Sequence, residues 1–345
     1  YKANSQHQVD ILEMKGQFWK WRMHGGAVTL ARLFNQSDLS PDVILATDML
    51  DLTTFLSLTR KRTSSISTAI YFHENQLSYP WSPKDRDVQK DRNKQYGFIN
   101  YNSALTADYA LFNSHYHQIS FLEEAEKLLK HFPDYNELDT IKIIEDKSSV
   151  LPLGLDLHGF DTLKSDYEGP PLILWNHRWE YDKNPESFFK TLFKLDDNGI
   201  DFKLAVLGEN FKSTPSIFDE ANIKLKDKIV HFGYCEDFSE YAQWLWKADI
   251  LPVTNIQDFF GISIMEAVYC NTYLLLPNRL TYPELLPTEY HDNHIYEDDK
   301  DLYEKLNECI SKIDEIRNKK MSSVAEKYDW RQMAPVYDKL FGSFI

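Results

Sequence analysis

Short apolar runs alternate with longer amphipathic stretches along the chain, a pattern typical of βαβ units that build a parallel sheet. In the first half, apolar or β-branched runs predict strands over residues 9–12, 43–47, 67–72, 109–112 and 149–153. Amphipathic stretches between them predict helices over residues 26–34, 93–106 and 114–130. Asn113 and Ser114 carry short polar side chains that suit the N-cap of the last of these helices.

The same pattern restarts in the second half. Strands are predicted over residues 172–176, 203–207, 229–232, 250–253 and 273–276, and helices over 185–195, 215–225, 238–246, 262–270 and 330–341. Between the two series, residues 155–171 show few strand signals and contain Gly169, Pro170 and Pro171, which interrupt regular structure. We therefore predict two doubly wound α/β domains, over residues 1–157 and 158–329. Ligands of such sheets bind at the carboxyl ends of the strands, so motifs at strand ends carry the most weight.

Composition supports two folded domains and limits the partners. The 345 residues are 43% hydrophobic and 14% aromatic, which is enough apolar material for two cores. Lys and Arg total 38 against 53 Asp and Glu, so the net charge is 38 − 53 = −15. A protein this acidic does not coat nucleic acid non-specifically, although a local basic patch can still recognise RNA.

Cysteine usage and hydropathy indicate the compartment. Cys235, Cys270 and Cys309 are odd in number and far apart, so we expect free thiols in a reducing environment and no zinc site or disulfide framework. No apolar run approaches the roughly 20 residues that span a bilayer, and no signal peptide opens the sequence. We expect a cytoplasmic protein with no membrane partner. Because the sequence opens on Tyr1 without a methionine, we also expect residues before it.

The segment from Asp258 to Glu266 carries the candidate donor site. Its two carboxylates lie eight positions apart after a predicted strand, with Gly261 between them at the start of a predicted helix. Backbone N–H groups at a helix N-terminus attract a diphosphate, and glycine permits its close approach. The carboxylates can accept hydrogen bonds from the vicinal hydroxyls of a sugar and a ribose. The donor-binding residues predicted here are Phe260, Gly261, Ile262, Ser263 and Glu266.

Other predicted strand ends add cations and glycine turns. Arg178 and Lys183 follow the first strand of the second half and can stabilise the charge that grows on a departing nucleotide. Gly208 and Glu209 follow the next strand, and Tyr234 lies where a nucleotide base could dock. A helix-start glycine or an Arg–Lys pair taken alone is more often structural, so the prediction depends on the four motifs occurring together.

The first half supplies candidates for the acceptor side. His73 stands at the end of a predicted strand, where its side chain can face a ligand. The alternative is a core histidine that hydrogen-bonds to a backbone carbonyl. Residues 18–22 mix aromatic and basic side chains, as do proteins that stack unpaired RNA bases. Two further basic runs comprise Arg60, Lys61 and Arg62, and Lys84, Arg86, Lys90, Arg92 and Lys94. Core tryptophans and a solvated loop remain the alternative, and Asp85, Asp87 and Asp91 interrupt the longer run.

The four donor-side motifs, in this order, resemble retaining GT-B glycosyltransferases of the glycogen-synthase-like group, which carry a Glu-x7-Glu motif on this helix. That resemblance implies two Rossmann-like domains facing across a cleft. It implies that Glu266 holds the ribose, that Asp258 and His73 contact the donor sugar, and that Arg178 and Lys183 hold the diphosphate. Asp258 is one methylene shorter than the glutamate usual at that position.

Longer strings resemble a narrower family, the tRNA-queuosine mannosyltransferases. They are residues 71–77 with 79–80, 95–97, 177–180 with 182–183, 185–189, 259–261, 265–270 and 282–284, together with Trp19, Trp21 and Arg22. The resemblance implies transfer of mannose from GDP-mannose to the cyclopentene-diol of queuosine in a tRNA anticodon stem-loop. The predicted acceptor-binding residues are Trp19, Trp21, Arg22, Glu74, Asn75, Gln76 and Tyr96.

The resemblance also implies structural elements at the two ends of the chain. The family begins with a strand and a Gly-Gly-Ser-His loop, which we expect before Tyr1, and its C-terminal helix, here residues 330–345, packs on the first domain. No DxD pair with flanking strand signals indicates a metal, so we expect metal-independent transfer without a cofactor. Open alternatives are another acceptor (a glycan or lipid), another nucleotide-sugar donor, a non-catalytic sugar-nucleotide-binding or scaffold protein, and a GT-B-shaped epimerase or phosphorylase. The sequence does not indicate an oligomeric state.

Overall fold

A computed structural model describes residues 1–81, 86–90, 94–209 and 214–345 of the chain. It contains two compact units, each with its own sheet. Unit 1 comprises Tyr1–Leu153 and Met333–Ile345, and unit 2 comprises Gly154–Gln332. No helix in these described ranges is long and apolar enough to cross a membrane.

Unit 1 is built on four parallel strands in the order β1-β2-β3-β4. The strands are β1 Val43–Thr47, β2 Ser67–Phe72, β3 Tyr109–Phe112 and β4 Ser148–Val150. Its helices are α1 Trp19–Gln36, α2 Leu52–Thr63, α3 Arg86–Gln89, α4 Lys94–Thr106, α5 His115–Leu129 and α6 Asp139–Asp146. The core buries alternate side chains of the central strands against α5, where the Phe72, Phe112 and Phe121 rings pack within 5.2 Å of one another. Ser114 caps α5 as predicted, because its side chain accepts a hydrogen bond from the His117 N–H.

In unit 1, one predicted strand is absent from the described residues, and helices α2, α3 and α6 were not predicted. Residues 9–12 form no strand: Ile11 is exposed and Leu12 only partly buried against the core, so the short run has neither a buried face nor a sheet partner among the described residues. Helix α2 was not predicted at all. Its basic run ends the helix, where Arg62 donates to the backbone oxygens of Phe34, Ser37 and Leu39. Arg62 therefore caps the end of α1, so this residue of the basic run has a role in the fold of unit 1.

Unit 2 holds six parallel strands in the order β10-β9-β8-β5-β6-β7. The strands are β5 Leu172–Trp175, β6 Lys203–Val206, β7 Ile229–Phe232, β8 Ile250–Pro252, β9 Tyr273–Pro277 and β10 Ile295–Tyr296. The helices are α7 Pro185–Asp197, α8 Ile217–Lys224, α9 Phe238–Lys247, α10 Ile262–Tyr269, α11 Tyr282–Leu285, α12 His291–His294, α13 Asp299–Ser311, α14 Ile313–Asn318 and α15 Ser322–Glu326. Short 3-10 helices span His158–Leu163, Tyr181–Lys183 and Thr288–Tyr290.

The order of these strands positions the candidate site. The first strand of the unit, β5, lies in the middle of the sheet between β6 and β8, so the chain changes direction across the sheet at this point. In doubly wound sheets such a switch point opens a crevice at the carboxyl ends of the strands. The loops after β5 and β8, which carry Lys183 and Asp258, therefore emerge beside each other.

The last helix, α16 Trp330–Gly342, begins in unit 2 and ends in unit 1. In unit 1, the Asp338 carboxylate accepts hydrogen bonds from the hydroxyls of Tyr1 and Ser5. Beyond the helix, the Phe344 ring stacks on Tyr109 at 3.7 Å. At the other boundary, Leu155 pairs with Asp329 in a β-bridge. This pairing explains why the compact units divide at Leu153, a few residues before the predicted boundary.

Candidate donor and acceptor sites

Helix α10, which carries the predicted donor-binding residues, begins at Gly261, whose backbone conformation is one that other residues rarely adopt. Gly261 has a φ of 95°, and a Cβ there would lie 3.1 Å from the Ile264 side chain. The next two residues, Ile262 and Ser263, stand in the first turn with exposed or half-exposed side chains. Their N–H groups are the donors that a helix start leaves for a ligand. Phe260, which precedes Gly261, is buried, and its ring packs against Tyr328. This packing supports the turn that leads into α10.

Glu266, in the second turn of α10, is held by a neighbouring helix. The Tyr241 hydroxyl on α9 donates a hydrogen bond to Glu266 Oε2 at 2.7 Å. Burial raises the pKa of Glu266, and the hydrogen bond from Tyr241 opposes that shift. Burial and the nearby carboxylate raise the pKa of Tyr241 far above its ordinary value, so it stays a proton donor.

Asp258, the other predicted carboxylate, lies in the loop after β8. Its Oδ2 accepts hydrogen bonds of 3.2 Å from the Tyr282 hydroxyl and from the Asn255 amide. Burial, followed by the charge and hydrogen bond of Asp258, raises the pKa of Tyr282 well above 10. Asp258 and Glu266 thus each have one carboxylate oxygen fixed by the hydroxyl of a tyrosine on a different element, Tyr282 and Tyr241.

The loop after β5 is joined to both parts of this site. The Asn176 amide donates to the Ser263 carbonyl at 2.7 Å, and the His177 ring lies 3.4 Å from the Ser263 hydroxyl. Lys183 donates to the Gln257 carbonyl at 3.0 Å, next to Asp258, and pairs with the buried Asp182 at 3.2 Å. The structure therefore brings Lys183 to the segment 258–266.

Arg178 and Gly208 lie on two loops that touch. Gly208 has a φ of 108°, and a Cβ there would lie 2.0 Å from the His177 carbonyl oxygen. The Trp179 N–H donates to the Glu209 carbonyl at 3.0 Å, which ties the two loops together. Arg178 itself is 52% exposed and lies 3.3 Å from Glu180. Gly208 and Glu209 thus have a structural role in shaping the Arg178 loop.

His177 is a buried residue at the centre of these loops. Desolvation by burial, and then the charge of Lys183, lower its pKa to about 3. It is therefore neutral near pH 7 and adds no positive charge to the site. Among the described residues, Lys183 reaches the segment 258–266, Arg178 lies on the loop that His177 joins to it, and Arg279 donates to the carbonyls of Thr254 and Asn255 just before it.

Tyr234, proposed to meet a nucleotide base, is 58% exposed after β7. Beside it, His231, Cys235 and Glu240 bring one possible metal-ligand atom each within 4.8 Å of the others. The histidine, however, turns different nitrogens to its partners: Nε2 lies 3.7 Å from Cys235 Sγ and 3.1 Å from the Gly233 carbonyl, whereas Nδ1 faces Glu240. This geometry is that of a hydrogen-bonded turn and not of one coordination sphere.

In unit 1, His73 ends β2 with half of its side chain exposed. Its backbone N–H and its ring Nδ1 both face Asp48 Oδ1, at 3.0 and 3.3 Å. Because an ionised carboxylate only accepts hydrogen bonds, we assign the ring proton to Nδ1, which leaves Nε2 as the nitrogen for a ligand. Asp48 is buried and was missed by sequence reasoning, although it stands at a strand end as His73 does.

The residues after His73 are less accessible. Asn75 is fully buried, and its Oδ1 accepts hydrogen bonds from the backbone of Leu77 and Ser78 in a tight turn. Gln76 is also buried and donates from its amide to Glu74 at 3.1 Å. Of these three predicted acceptor residues, Glu74 is the one with a partly exposed side chain.

The start of α1 presents an aromatic surface, which we call the α1 aromatic patch and define as Phe18, Trp19 and Trp21. Phe18 is 76% exposed and Trp21 is 64% exposed. Phe18 also has a φ of 54°, a left-handed conformation that bulky residues rarely adopt. The Trp21 ring packs against Gly25, where an added Cβ would lie 2.6 Å from a ring atom.

Trp19 of the patch also belongs to a packed aromatic cluster. Trp19, Trp81 and Tyr96 have ring centroids 5.3 to 5.6 Å apart. Tyr96 is 3% exposed and donates to Asp87, which also pairs with Lys20. Tyr96 therefore supports the patch from beneath in this structure. Arg22 is half-buried and donates to the Lys15 carbonyl at 3.3 Å.

Only part of the basic run between residues 84 and 94 lies within the described residues. Arg86 and Lys90 are exposed on and after α3, and Lys94 is exposed at the start of α4. Lys84 and Arg92 lie outside the described residues.

Both halves of the chain match known protein families. The sequence profile described as "tRNA-queuosine alpha-mannosyltransferase N-terminal" matches residues 1–155, and that described as "Glycosyl transferases group 1" matches residues 164–328. Among curated proteins, the chain is 32% identical over 351 residues to a tRNA-queuosine alpha-mannosyltransferase from Drosophila melanogaster. That alignment covers 97% of this chain and 89% of the relative.

Similar solved structures are more distant in sequence. Anabaena HepE in complex with UDP matches with a TM-score of 0.63 and 12% identity, over 92% of this chain and 82% of that one. Sucrose-phosphate synthase from Thermosynechococcus elongatus matches with a TM-score of 0.67 and 13% identity, over 96% and 81%. At this identity the likeness shows the fold alone, and it confirms the predicted GT-B class of α/β protein.

Proposed function

Because the chain belongs to the tRNA-queuosine alpha-mannosyltransferase family, we propose that it transfers mannose from GDP-mannose to the cyclopentene-diol of queuosine in a tRNA anticodon. The 32% identity that extends over 97% of the chain is the observation that carries this proposal. The arrangement of Glu266, Gly261 and Lys183 in unit 2 supports it, because these groups suit a nucleotide diphosphate sugar.

We assign donor binding to unit 2. The N–H groups of Ile262 and Ser263 receive the diphosphate at the start of α10, with Lys183 and Arg178 as the cations. Glu266 accepts hydrogen bonds from the ribose hydroxyls, and Asp258 accepts them from the sugar. In unit 1, His73 Nε2 is the nitrogen assigned to a hydroxyl of the transferred sugar.

The proposed reaction retains the configuration of the sugar. The bond between C1 of the sugar and the diphosphate oxygen breaks, and a bond between C1 and the queuosine oxygen forms on the same face. The proton of the attacking hydroxyl passes to the departing diphosphate, so no separate base is required. Positive charge from Lys183, Arg178 and the α10 N-terminus stabilises the leaving group as the bond breaks.

Mannosyl transfer is expected to continue in excess EDTA, because those cationic groups supply the charge stabilisation that a divalent ion provides in other enzymes. The measurement is the initial rate of transfer with and without EDTA, using protein freed of metal beforehand. A collapse of activity that Mg²⁺ restores would show that the reaction needs a metal.

Replacing Trp21 by alanine is expected to raise the KM for tRNA by roughly tenfold and leave the KM for the donor unchanged. An exposed aromatic ring can stack an unpaired base, and each such stack contributes about 1–3 kcal/mol. The control is Tyr135→Ala, since Tyr135 is an 89% exposed aromatic of unit 1 outside the α1 aromatic patch. Equal tRNA KM values for the two variants would remove Trp21 from the acceptor surface.

The whole assignment is tested by incubating the protein with labelled nucleotide sugars and tRNA. Label is expected in queuosine-modified tRNA with GDP-mannose, and not in the same tRNA without queuosine. Labelled UDP-glucose belongs in the same experiment, because a similar solved structure binds UDP. Label transferred from UDP-glucose alone would correct the donor, and no label with any donor would defeat the proposed function.

A further inference from the structure

We infer that Tyr241 is a positioning residue for the donor: its hydroxyl fixes one oxygen of the Glu266 carboxylate and leaves the other oxygen directed at the ligand. This inference rests on the proposed function, in which Glu266 binds the ribose. Tyr241 lies on α9, 25 residues before Glu266, and belongs to none of the motifs identified in the sequence.

The partner of the Tyr241 hydroxyl sets the direction of its proton. The hydroxyl donates to Glu266 Oε2, 2.7 Å away. Burial, and then the charge and hydrogen bond of Glu266, raise the pKa of Tyr241 well above its ordinary value, so the hydroxyl keeps its proton. Tyr241 is thus the donor of this bond and the Glu266 carboxylate is the acceptor.

The second oxygen of Glu266 is left for another donor. Among the residues that the structure describes, Oε1 receives no hydrogen bond. A carboxylate with one oxygen fixed has less freedom to rotate, so less ordering is needed when hydroxyls bind to the other. The fixed oxygen also favours the ionised carboxylate, which accepts stronger hydrogen bonds than the neutral acid.

The ring of Tyr241 is held in place independently of its hydroxyl. It packs against Phe160 and Phe238 with centroid distances of 6.3 and 6.4 Å. A Tyr241→Phe substitution therefore keeps these contacts and removes the hydrogen bond to Glu266. The variant separates the positioning role from the packing of α9.

Tyr241→Phe is expected to raise the KM for the nucleotide-sugar donor by about tenfold, the effect of losing one hydrogen bond to a charged group, while kcat changes less. The hydrogen bond lowers the pKa of Glu266, so its removal raises that pKa. The acid limb of kcat/KM for the donor is therefore expected to move to higher pH. A role in folding alone would not move this limb.

The matched control is Tyr269→Phe, because the Tyr269 hydroxyl also donates to a carboxylate of unit 2, that of Asp161, at 2.8 Å. This variant is expected to keep the donor KM and the acid limb of the parent. If Tyr241→Phe resembles Tyr269→Phe in both, while Glu266→Ala loses the donor, the positioning role is overturned and the donor site stands.

A double variant closes the remaining alternative. In a Glu266→Ala background, Tyr241→Phe is expected to add little further loss of donor affinity, since both changes act through one interaction. A full additional tenfold loss would show that Tyr241 acts without Glu266 and would overturn the inference. Unchanged donor affinity in Glu266→Ala itself would instead refute the proposed donor site.

Discussion

Glu266→Ala is expected to weaken donor binding by at least about 100-fold, the largest effect of any single side-chain removal in unit 2. The carboxylate is assigned to two vicinal hydroxyls of the ribose, and each hydrogen bond to a charged group contributes about 1.5–3 kcal/mol. Two such bonds correspond to a loss of roughly 10² to 10⁴ in affinity. The measurement is calorimetric titration of GDP and of GDP-mannose into the folded variant.

Two further variants make this result specific. Glu266→Gln keeps the shape, and its amide oxygen can still accept the hydrogen bond from Tyr241, so its loss of donor affinity is expected to fall between those of the parent and the alanine variant. Glu304→Ala removes an exposed carboxylate of α13 and is expected to bind the donor as the parent does. Parent-like affinity in Glu266→Ala would remove the residue from the site.

Gly208→Ala is expected to lower the free energy of unfolding of unit 2 by about 3 kcal/mol or more, and donor binding with it. The added Cβ would lie 2.0 Å from the His177 carbonyl oxygen, and the positive φ adds backbone strain. For a unit of this size, we expect a fall in Tm of roughly 6 to 12 °C. Differential scanning calorimetry measures it.

Gly233→Ala separates the two causes. Gly233 also has a positive φ, 142°, but a Cβ there meets nothing within 4 Å. It is expected to cost only the strain, about 1 kcal/mol. If both variants unfold at the same temperature, the close contact between the Gly208 and His177 loops does not contribute to stability.

Strand bounds were predictable where a short apolar, β-branched run stands between polar turns, whatever the position of the strand in the sheet. The predicted bounds of β1, β2, β3 and β7 match those observed. Of these, β2 and β3 are central and mostly buried, whereas β1 and β7 are edge strands with partly exposed side chains. Helix α2 escaped because its sequence is mostly polar, with Leu52 and Phe55 as its large buried side chains. Tertiary packing of those few residues, and the Asp51 cap, stabilise a helix that periodicity does not indicate.

Some site residues could be predicted from their place at a strand end, and others could not be predicted from the sequence. Glycines and charges at strand ends, such as Gly261, Lys183 and Asp258, follow from the topology of a parallel sheet. Their roles in binding stay predictions that the variants above test. Tyr241 gave no signal, because a tyrosine on a helix becomes a partner only when a distant element packs beside it. Asp48 did follow a strand, but its pairing with His73 depends on β1 and β2 lying side by side. The burial of Asn75 likewise depends on a turn that the sequence string does not reveal.

The division of unit 1 into two separated segments has a consequence for folding during synthesis. Unit 2 is continuous in sequence, whereas unit 1 needs residues 333–345, which leave the ribosome after all of unit 2. At about 5–20 residues per second, unit 1 waits roughly ten seconds or more with the faces of Tyr71 and Tyr109 uncovered. The nascent chain is thus exposed to aggregation or chaperone binding until the C-terminal segment docks, and unit 2 can fold before unit 1 is complete.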